Sequence, residues 1–354
     1  MTGIPGQLTA ANRADIRAKL RKSAGEFLQR FYRHDLLMAR AVRGIQIEAA
    51  QRFRMEVAEP LIRAIAGGLA GFDPRGQDVT PANFPELAAI IREAEAIIEQ
   101  GVESVRLLTE QRMRDIGQGE ADFVAENAAK TLGEPVPTTP AGQEVRRPWL
   151  GDDTERWFRK MLVQPTGDAV RQRITQGMQQ GQTVDQIVGS IRGTRTQTGI
   201  IDASTQAVGT LVRTAATSAS AQARGETFKE LGVTHWRFLA TLDSKTSVQC
   251  AAYDGKTFPV GEGPMPPLHP NCRSVAVPDF RGKPIGTRAS IDGQVPAATD
   301  YESWLGTQSI SEQNAVLGKT KAEAWRAGKL TLRQMLGRDL QPLTLAQLRE
   351  LDRI

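Results

Sequence analysis

Cysteine and histidine are scarce in this 354-residue chain, with two of the first and three of the second. Two cysteines exclude a disulfide scaffold. Aromatic residues are few at 5%, and a 40% hydrophobic share is lean for one globule. Long apolar runs are missing too. The richest, "LIRAIAGGLAGF" at 61–72, is too short to cross a bilayer and contains Arg63, so no membrane partner is expected. The first residues lack the charged-then-apolar profile of a secretory leader. The expectation is a soluble chain that folds in a reducing cytoplasm. With 45 Lys and Arg against 40 Asp and Glu, the net charge of +5 is too small at this length to establish nucleic-acid binding. Internal repeats and the Walker, Rossmann, HExxH and GxSxG motifs are also missing, which argues against an enzyme.

What is there is mostly helix. Leu20, Phe27, Phe31, Leu36, Leu37, Ala41 and Ile45 recur at helical spacing, so residues 11–70 read as one or two long helices. "FDPRGQDVTPANFPE" interrupts with Pro and Gly. A second long amphipathic helix follows from Pro85 to about Glu126, on Leu87, Ile90, Ile91, Ile97, Ile98, Val102 and Leu107. Charge divides between the two. Residues 13–54 hold eleven Lys and Arg against four acids, a net +7, and 85–126 hold ten acids against four arginines, a net −6. One reading makes the basic stretch an arm for the phosphates of double-stranded DNA. The other, which is favoured and predicts weak DNA binding, lets the two helices neutralise each other.

The chain reads as α+β, mainly α with a small β module. A long-helix region at 1–132, expected to be elongated, meets a proline-rich linker at 133–150. A domain at 151–283 begins with helices, where Thr183 and Gln186 form a capping box, and Gly232 stops the last of them. It then changes period. "VTHWRFLATL" alternates with Trp236, Phe238 and Ala240 on one face, "YDGKTFPV" reads as a hairpin turn into a strand, and "SVAVPDF" is a third strand. Strands are expected within about 233–280 alone. A linker at 284–300 leads to a helical tail at 301–354, with another capping box at Thr344 and Gln347.

The strands enclose Cys250, His269 and Cys272, eighteen residues apart and then two. Three readings stay open. One is a structural zinc site, its fourth ligand being Asp243, Asp254, His235 or water, since so small a module buries too little to hold itself. Another is a reduced, packed cysteine pair with a hydrogen-bonded histidine. The last is a disulfide or a catalytic site.

"DSKTSVQCAAYDGKTF", with Asp243, Thr246, Cys250, Asp254 and Gly255, and "PPLHPNCR", with His269, Cys272 and Arg273, together resemble the signature of the phage head morphogenesis family similar to the F protein of phage Mu. "GMQQGQTVDQIVGSI" and "VRTAATSASAQARGETFKELGVTHWRF" resemble the same family upstream. Lys245 departs from its usual Arg and loses the planar fork. Ala215 stands where an acid commonly follows Arg-Thr, which weakens the case for a buried ion pair on that helix. The resemblance implies a minor structural protein of a tailed-phage head, in the virion and, during assembly, in the host cytoplasm. Its implied partners are the portal protein and the major capsid or scaffolding protein, with a role in procapsid assembly and in DNA packaging or ejection. The competing function is a metal-dependent nuclease, with His269 as base and Asp243 and Asp254 near the metal.

Overall fold

The computed structural model of the chain describes residues 8–72, 79–136, 153–282 and 284–354. Most of the linker expected at 133–150 and part of the break after Phe72 therefore lie outside the described residues. The Ala-, Arg- and Leu-rich N-terminal sequence forms α1 (Ala10–Lys22), α2 (Ala24–Phe53), α3 (Glu59–Leu69) and α4 (Pro85–Leu132). A π-helical turn at Arg54–Ala58 joins α2 to α3, and a second at Arg159–Val163 joins α5 (Thr154–Phe158) to α6 (Gln164–Gln179). Each wide turn is followed by a proline, Pro60 or Pro165, at the second position of the next helix. A proline ring has no N–H to donate and clashes with the carbonyl four residues back, and widening the preceding turn relieves both problems. Next come α7 (Val184–Arg192), opened by the expected capping box of Thr183 and Gln186, and α8 (Ile200–Glu230). The chain leaves α8 through Gly232, whose φ of +71° suits glycine.

Two compact units result, both discontinuous in sequence. One combines residues 40–114 with 146–216 and contains no strand among its described residues. Phe53, Leu61, Ile65, Ile98, Val105, Phe158, Ile174 and Ile187 are buried in it. Gly101 of α4 lies against the first π turn, where a Cβ would come within 2.4 Å of the Glu56 carbonyl oxygen.

The other unit combines 1–39, 115–145 and 217–354. Its sheet has the order β2 (Thr257–Pro259), β1 (His235–Leu239), β3 (Val275–Asp279), antiparallel throughout, with Trp236 opposite both Phe258 and Pro278. Trp236 and Phe238 are fully buried, as their alternation predicts. Two expectations need correction. The Asp254–Gly255 turn follows a short helix, α9 (Val248–Tyr253), so it joins helix to strand and closes no hairpin. Strands also continue beyond 280, since residues expected to be loose form an antiparallel hairpin of β4 (Thr287–Ser290) and β5 (Gly293–Pro296). Its Gly and Pro content obscured four-residue strands that are held by contacts from afar, including Gln29 donating to the Thr287 carbonyl at 3.2 Å.

The tail folds as α10 (Tyr301–Thr307), α11 (Ile310–Leu317), α12 (Lys319–Arg326) and α13 (Leu345–Glu350), the last with the expected Thr344–Gln347 box. Helix α9 lies between two apolar cores. Cys250 joins the core of Phe27, Phe31, Phe228 and Trp236, while Ala251 and Ala252 join that of Tyr301, Trp304, Met335 and Leu348. The architecture is thus mainly helical with small antiparallel sheets, α+β as expected. No helix among the described residues is long and apolar enough to cross a membrane.

The charge division of the N-terminal half is resolved differently from the expected mutual neutralisation. Glu95 and Glu99 of α4 pair with Arg171 and Arg159, and Glu120 pairs with Arg224. Between the basic and acidic stretches, His34 meets Glu120 at 3.2 Å in the expected sense. Arg112 and Glu48, 2.8 Å apart, pair in the reverse sense.

Candidate metal centre

Cys250 is placed by α9, whose N-cap Ser247 accepts the Cys250 N–H at 3.2 Å. Cys272 and His269 come from the loop between β2 and β3. Asn271, at φ +62°, turns that loop between them, a conformation asparagine tolerates better than most residues. The Thr217 hydroxyl on α8 donates to the Cys272 carbonyl at 3.0 Å and fixes the loop from behind. Both thiols are buried and unbonded, while His269 is half-buried.

The three ligand atoms lie within 4.8 Å of one another. Cys250 Sγ is 3.5 Å from Cys272 Sγ and 3.2 Å from His269 Nε2. His269 Nδ1 lies 2.8 Å from the Pro270 carbonyl oxygen, so Nδ1–H donates there and the Nε2 lone pair faces the sulfurs. A tetrahedral ion with bonds of about 2.3 Å to sulfur would hold two sulfurs about 3.8 Å apart. The donor set and its spacing fit zinc, with two sulfurs and one imidazole nitrogen supplied by this chain. The Cys250 thiol donates to Cys272, which pulls Cys272 well below the ordinary thiol value. The same bond and burial push Cys250 well above it. Burial lowers the His269 value, but the neighbouring Cys272 sulfur outweighs it and the net direction is upward.

The structure does not bring Asp243 to the thiols. Both its oxygens face Arg273, at 2.5 and 2.7 Å in a two-bond fork, and Oδ1 also accepts from Lys245 N at 3.0 Å and Thr246 Oγ1 at 3.3 Å. Burial would raise this carboxyl, yet the Arg273 fork holds it below the usual carboxylate value. Thr246 also donates to the Thr241 carbonyl. Asp254 is committed elsewhere as well. Its Oδ1 accepts from Ala240 N at 2.7 Å, and Arg288 grips both oxygens at 2.9 and 3.1 Å. Burial leaves Asp254 raised despite that partner. Gly255 takes φ +77° and donates to the Phe238 carbonyl. His235, another candidate ligand, instead faces Arg281 and Thr234.

Two arginines that matter here were missed in the sequence. Arg288 left no signal, lying in a stretch broken by Gly and Pro, with Arg281 and Lys283 nearby and nothing to single it out. Arg224 left one, as the only charge after ten uncharged residues of α8, a pattern of burial on all sides. It is fully buried and donates to Glu120 at 2.8 and 3.1 Å, to Asp35 at 2.7 Å and to the Ala276 carbonyl of β3 at 3.1 Å. Glu120 also accepts from Ser220 at 2.8 Å and contacts His34, which stacks on Phe123 at 3.7 Å. Burial raises Glu120, but Arg224 and His34 overcome it and hold the carboxyl at about 2, while burial beside Glu120 leaves Asp35 raised. The buried ion pair that Ala215 argued against therefore exists on this helix, supplied by a residue nine positions further on.

Residues 168–277 match the family model of phage Mu protein F like proteins. The matched segment runs from α6 into β3 and includes Cys250, His269 and Cys272. Neither a curated protein nor a solved structure matches the chain.

Proposed function

We propose, taking as premise that residues 168–277 belong to the phage Mu protein F like family, that the chain is a minor structural protein of a tailed-phage head. The family match carries this reading and supports a part in head morphogenesis. The finer assignment is to the portal vertex, where the chain contacts portal and capsid or scaffolding subunits during procapsid assembly in the host cytoplasm, and then stays in the virion. The nuclease reading requires carboxylates free to hold a metal beside His269. Asp243 and Asp254 are each bound by an arginine, which favours a non-catalytic module. Zinc on Cys250, His269 and Cys272 would tie α9 to the loop ahead of β3, a structural duty that needs no open coordination chemistry.

Purified procapsids test the proposal. Quantitative mass spectrometry should find the chain at a few copies per particle, and should lose it from particles assembled without the portal protein. Procapsids that form normally and never contain the chain would sink the reading.

A further inference from the structure

The geometry points to a phosphate-binding groove on the face formed by α1 and the ends of β1 and β3, shaped for the sugar–phosphate backbone of a nucleic acid. The groove encloses about 750 Å³. Arg17 and Arg21 lie one helical turn apart on α1, about 6 Å along the axis, with Lys22 beside them. The facing wall carries His235, Asp279 and Arg281. Four permanent cations thus face one carboxylate, and that carboxylate is already engaged. Asp279 pairs with the Arg237 guanidinium at 3.2 Å and accepts the Arg281 N–H at 3.1 Å.

The last contact holds Arg281 in the left-handed region at φ +56°, with its guanidinium 2.6 Å from His235 Nε2. A guanidinium only donates, so His235 Nε2 accepts from Arg281 and aims that cation along the groove wall, while Nδ1 lies 3.0 Å from Thr234 Oγ1. Arg17, Arg21 and Lys22 are exposed and have no acidic partner among the described residues. Their obvious counter-charge, the acidic helix α4, pairs instead with Arg159, Arg171 and Arg224. A row of unneutralised cations along a groove is what a phosphodiester strand recognises, and such contacts read charge without reading sequence. The inference rests on the groove and is independent of the head-protein reading.

Fluorescence anisotropy of the full chain with a labelled DNA duplex tests it. Binding should weaken with salt at a log–log slope of about −3.6 for four cation contacts. The double variant Arg17→Glu/Arg21→Glu should bind about tenfold or more weakly, with the slope shallower by about 2. Arg40→Glu/Arg43→Glu changes net charge equally outside the groove and should leave the slope unaltered. Far-UV circular dichroism confirms that both variants keep their helices. Inorganic phosphate at matched ionic strength should displace the duplex no better than chloride. The inference is overturned if the duplex does not bind, if both variants weaken it equally, or if inorganic phosphate competes specifically, which would mark a pocket for a free anion.

Discussion

Replacing Arg224 by Met should be among the most damaging single changes in this protein. The side chain is 1% exposed, and its four hydrogen bonds join Asp35, Glu120 and the Ala276 carbonyl of β3. Methionine fills much of the volume but leaves two buried carboxyls facing each other. Breaking a buried pair from one side costs about 3–5 kcal/mol. The Glu120 value points the same way. A fall from 4.5 to about 2 corresponds to about 3 kcal/mol at roughly 1.4 kcal/mol per pH unit. Because that value is depressed, the stability it reflects is complete above pH 4.5 and fades as pH falls toward 2. Asp35, raised, works in the opposite sense. Urea titrations at pH 7 should therefore show Arg224→Met less stable by about 3–5 kcal/mol. Its deficit should shrink toward pH 4.5, as protonation relieves the orphaned acids. Adding Glu120→Gln to Arg224→Met should recover part of the loss. A loss under about 1 kcal/mol, unchanged by pH, would refute the reasoning, because it would mean the network contributes no more than a surface pair.

If zinc occupies the thiol–imidazole centre, the purified chain should contain close to one zinc, and a chelator should lower its melting temperature while leaving Cys272→Ser unaffected; metal analysis and calorimetry check both. Gly101→Ala should destabilise by about 1–3 kcal/mol in urea, because the new methyl meets the Glu56 carbonyl of the π turn. Asp243, held low by Arg273, contributes stability present above its ordinary value of 3.8 and lost as pH falls through its depressed one. Asp243→Asn should accordingly flatten the acid limb of the stability–pH curve below pH 3.8. Arg288→Met should loosen the β4–β5 hairpin, and hydrogen exchange should show faster exchange at Thr287–Pro296 than in the parent.

Period and capping made the helices legible. Phe27, Phe31, Ile90 and Ile98 mark buried stripes, and Thr183–Gln186 and Thr344–Gln347 mark helix starts, because these signals depend on neighbours a few residues away. The π turns were legible in principle from Pro60 and Pro165, since each proline demands a local adjustment inside an otherwise unbroken helix. The β4–β5 hairpin was not. Its strands have four residues each and are fixed by Arg288 reaching Asp254 and by Gln29 reaching Thr287, contacts that no local window contains. The thiol–imidazole group was legible as residue types and spacing, and the structure brings its three atoms together. Asp243, offered by the sequence as a fourth zinc ligand, is instead committed to Arg273 by a two-bond fork that residue types and spacing do not reveal.

The same forks explain how so small a strand module keeps its shape. β1, β2 and β3 contribute five, three and five residues, too few to build a core alone. Each side of the module is instead fastened by an arginine from another element. Arg224 of α8 takes the Ala276 carbonyl of β3, Arg273 takes Asp243, and Arg288 of β4 takes Asp254 and the Ala240 carbonyl. These fasteners occupy the carboxylates that a hydrolytic site would need free. Of these, Arg273 anchors the end of the loop carrying His269 and Cys272, and Thr217 adds a second hold there. A catalytic loop usually keeps some freedom to admit and release substrate. This one is fixed from α8, from the Asp243 turn and from the thiol group at once, which leaves it little freedom to open.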